Sequence, residues 1–205
     1  PANVNDEVTA MAIDASGNVY VTGSSPGTGT GTDYATLKYD DDGTLIWASR
    51  YNGSSSSSDA AKGITINSST VIVTGHITET TTGKNFGTIA YSTSAGSQLW
   101  LKTYAGTSSS SVDEASSITS AGGYIYVTGR STGINGRDLV TIKYASNGDT
   151  SWVRRYADQL GGDRLYERDP VAVDGNGNVY ITGTLNATTD IALLKYNSSG
   201  SLQWA

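Results

Sequence analysis

Apolar and polar positions alternate along this chain in runs of five to seven residues, as in VTAMAID (8–14), VYVTG (19–23), YATLKY (34–39) and LIWASRY (45–51). In YATLKY, Ala35, Leu37 and Tyr39 point one way and Thr36 and Lys38 the other, the period-two pattern of a half-buried strand. No segment holds a helical period, and clusters of Gly, Ser, Asn and Asp separate the runs. The pattern predicts an all-β chain.

The same pattern recurs four times. GNVYVTG (17–23) returns as VIVTG (71–75), YIYVTG (124–129) and GNVYITG (177–183), and the spacing of Gly23, Gly75, Gly129 and Gly183, like that of Trp47, Trp100, Trp152 and Trp204, gives a period of 52 to 54 residues. A period near 50 marks an array, solenoid or propeller. Each copy resolves into four strand-like runs, A to D. Short turns join A to B (DASGN at 14–18, DGNGN at 174–178) and C to D (DDDGT at 40–44, SNGD at 146–149), whereas the B–C and D–A connections are long and dissimilar. In an up-and-down sheet all the variable sequence then falls on one face. Four-stranded antiparallel units at this period are β-propeller blades. Strand A is expected innermost, because its position at Ala10, Gly63 and Ser117 is small and becomes Pro170 in the fourth copy, where a channel edge needs no ladder hydrogen bond. The expected fold is a single β-propeller domain over 1–205, with repeats near 6–58, 59–112, 113–163 and 164–205, the last blade incomplete. Four blades close only tightly, so a closed ring, two chains sharing an eight-bladed ring, and adjoining blades from elsewhere are all open. In each copy the VTG glycine is expected to release strand B into its loop, and the tryptophans to pack blade on blade.

GNVYVTG, followed by DYATLKY, DLVTIKY or DIALLKY and then Gly-x-x-x-Trp, resembles the bacterial SBBP β-propeller repeat. The resemblance covers all four copies and is weakest in the second, where NFGTIAY has Ala90 in place of the lysine. It implies a secreted or surface-attached protein and says little about ligands.

Composition narrows the chemistry. The net charge of −6 and the scarcity of clustered Lys and Arg argue against a nucleic-acid partner; Arg154-Arg155 and Arg164 to Arg168 read as solvated strand faces. Without cysteine, disulfides and thiol chemistry are excluded, and no apolar run reaches the roughly 18 residues of a membrane span. His76 is the single histidine, and neither GxSxG, HExxH nor a phosphate loop is present, so no catalytic, metal or cofactor residues are assigned. Asp40-Asp41-Asp42-Gly43 reads as a turn.

Two acidic sets recur at the loop face. Asp6, Asp59 and Asp113 begin strand A, with Glu167 nearby in the fourth copy, and Asp33, Asn85, Asp138 and Asp190 begin strand C. They are placed to ring a cation or meet sugar hydroxyls, or more simply to accept backbone N–H bonds from the adjoining loops. Unshared charge gathers instead at His76, Glu79 and Lys84 in the second B–C loop and Arg130, Asn135 and Arg137 in the third, read as an exposed rim. The leading expectation is a non-enzymatic extracellular binding or structural module presenting this rim to a glycan, a protein or a copy of itself. The alternative is a propeller-type carbohydrate-active enzyme, a lyase or glycosidase, drawing a carboxylate pair from Asp6, Asp33, Asp138 and Asp190.

Overall fold

A computed structural model describes residues 5–106, 112–133, 136–157, 170–185 and 190–205, with the backbone alone for Thr184, Leu185 and Asp190. The described residues form four antiparallel sheets of four strands, each in sequence order. The first holds β1 (Glu7–Ile13), β2 (Val19–Pro26), β3 (Thr32–Tyr39) and β4 (Leu45–Tyr51); the second β5 (Ala60–Asn67), β6 (Thr70–Glu79), β7 (Gly83–Ser92) and β8 (Gln98–Tyr104). The third holds β9 (Asp113–Ala121), β10 (Tyr124–Thr132), β11 (Arg137–Ala145) and β12 (Thr150–Tyr156); the fourth β13 (Val171–Val173), β14 (Val179–Leu185), β15 (Asp190–Tyr196) and β16 (Leu202–Trp204). This is a β-propeller arrangement of four blades, with β1, β5, β9 and β13 innermost. Thr9, Lys62 and Ser116 from β1, β5 and β9, with Pro170 just before β13, line a common central cavity of about 370 Å³. The small side chains of Ala10 and Ser117 line it too, as strand A requires where blades converge.

Blades stack through their alternating faces. Tyr20 and Trp47 of the first blade bury against Val71, Val73, Ile89 and Tyr91 of the second. Ile72, Phe86 and Ala90 then meet Ile125, Val127 and Tyr144, and Tyr126 and Trp152 meet Val179, Ile181, Leu194 and Tyr196. Each layer is locked at its rim by one repeated contact. The indole N–H of Trp47, Trp100 and Trp152 donates to the carbonyl of Thr93, Ser146 and Ser198 in the next blade's C–D turn, at 3.1, 3.1 and 3.3 Å. Fourth and first blades do not cover one another: Trp204 is 44% exposed where Trp47 and Trp152 are 9% and 8%.

The short turns carry shared chemistry. Asp14 accepts from the N–H groups of Ser16 and Asn18 and from the Tyr20 hydroxyl, and Asp174 does the same for Asn176, Asn178 and Tyr180. These bonds to the charged form, chiefly from the Asn178 side chain and N–H, lower the Asp174 carboxyl to about 2.

Two expectations change. The VTG glycine does not release the chain, because β2, β6 and β10 run on past Gly23, Gly75 and Gly129. Pairing continues where alternation looked lost, since Ile77 in the extension and Phe86 on the facing strand are fully buried. The glycine serves a close approach instead. The inner strand bulges opposite it, between Val8 and Ala10 and between Ala61 and Gly63, and brings its backbone against the glycine Cα. A Cβ at Gly75 would collide with the Ala60 carbonyl and lie 2.9 Å from the Ala61 Cα.

Gly75→Ala should therefore destabilise the chain by about 1–3 kcal/mol, as overpacking against backbone does. Gly175→Ala, where a Cβ meets nothing within 4 Å, should stay within about 0.5 kcal/mol. Urea unfolding of the two variants checks this, and equal midpoints would remove the close-approach explanation.

Candidate functional site

The repeated acids are largely engaged in holding the loops. Asp59 accepts the N–H of Gly53 at 2.5 Å and of Thr78 at 2.6 Å, and Asp113 accepts those of Gly106 at 2.5 Å and Thr132 at 3.1 Å. Burial pushes the Asp59 carboxyl up from its ordinary value, with the two N–H bonds opposing it. The strand-C set works differently from the backbone bonding expected. Asp33 pairs with Arg50 at 3.2 Å and Asp138 with Arg155 at 2.6 Å, both arginines coming from the outermost strand of the same blade. In the second blade the residue at that arginine position is Thr103, opposite Gly87, and Asn85 replaces the aspartate. Its amide donates to Glu79 at 2.9 Å and to Thr82 at 2.6 Å. The carboxylate thus occurs with its counter-ion and becomes an amide without it, the pattern a buried charge demands. Asp6 is exposed at the entry to β1. The Asp190 side chain, Asn135, Glu167 and Arg164 to Arg168 lie outside the described residues.

The unshared charges do not form an exposed loop rim. His76 and Glu79 lie in β6, Lys84 in β7, Arg130 in β10 and Arg137 at the start of β11. Arg130 is 4% exposed, because it stands in register between Leu139 and Glu114 within the sheet, and it is engaged there. His76, read from sequence as a loop residue, is 8% exposed and pairs with Phe86 and Ala60.

Three of these residues instead converge on a carboxylate that pattern reading passed over, Glu114 in β9. Lys84 Nζ lies 3.1 Å from its Oε1, Arg137 Nη1 3.3 Å from its Oε2 and His76 Nδ1 3.8 Å from its Oε1, so blades two and three both contribute. Burial alone would raise the Glu114 carboxyl; the hydrogen bond and charge of Lys84, with the charges of His76 and Arg137, hold it below its ordinary value. His76 goes the other way. Burial first, then the Lys84 and Lys62 ammonium groups, outweigh Glu114 and hold the imidazole at about 4, so it is neutral at pH 7 and its Nδ1 has no hydrogen-bond partner. Lys62 also lines the central cavity. Among the described residues the cluster therefore sets Lys84 and Arg137, with Lys62 near enough to act on His76, against the one carboxylate of Glu114, in a chain of net charge −6. Glu114 was legible only through register: it is the inner-strand residue opposite Arg130, as Ala60 is opposite His76. Among the described residues no group of three His, Asp or Glu side chains gathers as for a metal ion, and no helix is long and apolar enough to cross a membrane.

Comparison with known proteins agrees with the fold. Residues 2–29 match the SBBP family, described as a beta-propeller repeat. No curated protein matches the chain. Among solved structures it is similar to the quinohemoprotein alcohol dehydrogenase of Comamonas testosteroni, with a TM-score of 0.64 at 14% identity over 97% of this chain and 34% of that one. It is also similar to a GH32 beta-fructofuranosidase of Bombyx mori, with a TM-score of 0.49 at 9% identity over 96% and 48% of the two chains. This chain thus spans about a third to a half of the length of these structures.

The buried histidine gives the site a pH signature. Its folded pKa of about 4 lies below the ordinary 6.5, so the unfolded chain takes up the proton first. The stabilisation is fully present above 6.5 and is lost as pH falls from there toward 4, whereas Glu114 loses its contribution only below 4.5. Urea midpoints should decline between pH 6.5 and 5 in the parent chain and much less in His76→Gln. Parallel profiles would mean that the imidazole takes up its proton as readily folded as unfolded.

Proposed function

We propose that the chain is a non-enzymatic binding module, acting outside the cell or at its surface, and that it holds an acidic glycan or an acidic protein surface at the loop-bearing face between its second and third blades. The observation that carries this reading is the convergence of Lys84 and Arg137, from two blades, on the single carboxylate of Glu114. Lysine and arginine donors exceed what one carboxylate neutralises, and the Lys84 side chain is 39% exposed, so its ammonium can exchange an internal partner for an anion on a ligand. His76, 3.8 Å from the same carboxylate, and Arg130, opposite Glu114 in register, are both buried. The resemblance to SBBP repeats supports the extracellular placement, and the unlike B–C and D–A connections support a face whose specificity varies while the blades stay fixed. Asp33 and Asp138, two of the carboxylates a glycosidase would draw on, are each paired with an arginine of their own blade, as a structural role for them would have it.

Retention on polygalacturonate and on poly-glutamate, measured by affinity electrophoresis with neutral dextran as the control, tests this. Lys84→Ala should weaken retention a few-fold, in keeping with about 1 kcal/mol for a partly exposed ion pair, and adding Arg137→Ala should take the loss to about tenfold. Glu114→Gln should strengthen it by removing the competing carboxylate. Retention that ignores all three substitutions, or no retention on either polyanion at low salt, would sink the anionic-ligand reading.

A further inference from the structure

We infer that the outer faces of the first and fourth blades bind each other between two copies of this chain, closing an eight-bladed ring. The three interfaces inside the chain share one constellation. Trp47, Trp100 and Trp152 each lie near the next blade's Tyr91, Tyr144 and Tyr196, with ring centroids 6.5, 6.3 and 6.1 Å apart at angles of 40–43°. Each indole N–H donates to a C–D turn carbonyl, which in two cases also takes the strand-C lysine, Lys38 on Thr93 and Lys143 on Ser198 at 3.0 and 3.1 Å. Under each indole sits the turn's glycine, so that a Cβ at Gly96, Gly148 or Gly200 would lie 2.6, 2.8 or 2.9 Å from the ring.

Both halves of a fourth such interface are present and, among the described residues, unmatched. On the fourth blade Trp204 lies 6.3 Å from Tyr180 at 56°, and Lys195 stands 5.2 Å over the Tyr180 ring. The first blade's Tyr20, Trp47 and Lys38 are arranged alike, at 6.0 Å, 54° and 5.4 Å. On the first blade, Tyr39 and the turn glycine Gly43 hold the receiving positions. Gly43 has the positive φ of 81° of its counterparts, yet a Cβ there would meet nothing within 4 Å. Beside them is an apolar groove of about 360 Å³ lined by Val8, Val21, Leu37, Tyr39 and Ala48. The fourth blade offers Ile191, 85% exposed, with Leu193 and Trp204. Charge agrees as well, since Lys195 would face the acidic turn Asp40-Asp41-Asp42.

Such a contact is heterologous, so it ends in a ring or an open fibre. The inner strands already curve round one cavity, and propellers typically run from about four to eight blades, which favours two copies over three. A second copy satisfies both conditions, placing Trp204 over Gly43 at two equivalent seams.

Sedimentation equilibrium of the 205-residue chain at micromolar concentration should give twice the chain mass. Trp204→Ala and Ala48→Arg change exposed positions on opposite faces. Each should halve the mass while leaving the circular dichroism spectrum unchanged, and mixing the two should restore a weaker heterodimer through the one intact seam. A folded monomer would overturn the proposal and assign the faces to other blades. A mass that grows without limit would overturn ring closure, and a dimer indifferent to both substitutions would show that other surfaces join the copies.

Discussion

A tryptophan indole laid on the turn glycine of the next blade is the contact on which the rest of this structure depends. A flat sheet with two apolar faces has many ways to stack on its neighbour, and burial alone does not choose among them. The indole does choose, because it needs a hydrogen-bond acceptor at one end and a space without a Cβ beneath it. Both are supplied at one place only, the C–D turn, whose glycine adopts a positive φ and whose carbonyl points back at the indole N–H. Sliding one blade along the next by a residue would bury that N–H without a partner and drive the ring into backbone. Register between blades is thereby fixed from the outer edge, while at the inner edge the bulged strands and the VTG glycines let the sheets draw together.

Fixing register at both edges frees the ends of the strands. Gly53 and Gly106 start the D–A connections and are tied by Asp59 and Asp113, and the B–C ends are tied by the Asp33–Arg50 and Asp138–Arg155 pairs. With these clamps inside the blades, the seam between blades two and three can carry residues that no other seam shares. His76 shows how far this goes. A histidine with a buried, unpartnered Nδ1 is poor for stability, and it stands where two lysines disfavour its charged form. It suits a site that must keep a carboxylate and its cations in a fixed balance near neutral pH.

How much of this was legible beforehand follows from the range of each interaction. The blades, their order and the tryptophan layers were readable, because alternation, turn glycines and a period of 52 to 54 residues are properties of neighbours along the chain. The reach of β6 and β10 was not, since HITE and RST look like loop until Ile77 is seen to be buried and His76 and Arg130 to pair with the buried Phe86 and Leu139 across the ladder. Arg130 and His76 were misplaced for the same reason. Glu114 could not be found by motif at all: its partners lie 38, 30 and 23 positions away along the chain, and two of them, His76 and Lys84, reach it only when two blades stack. The strand-C acids were half read, their repetition being plain and their arginine partners, one strand further out, being hidden by distance in sequence.

An acidic ligand, as proposed for this acidic chain, looks self-defeating until screening is considered. At physiological ionic strength charges more than about 8 Å apart scarcely feel one another through water, so the net −6 spread over the blades repels a distant polyanion only weakly. Within the seam the balance is set by contact pairs: Lys84 and Arg137 lie within 3.3 Å of one carboxylate, and half-burial protects those pairs from the same screening. Binding of this kind is local, modest for each contact and insensitive to the charge of the whole chain.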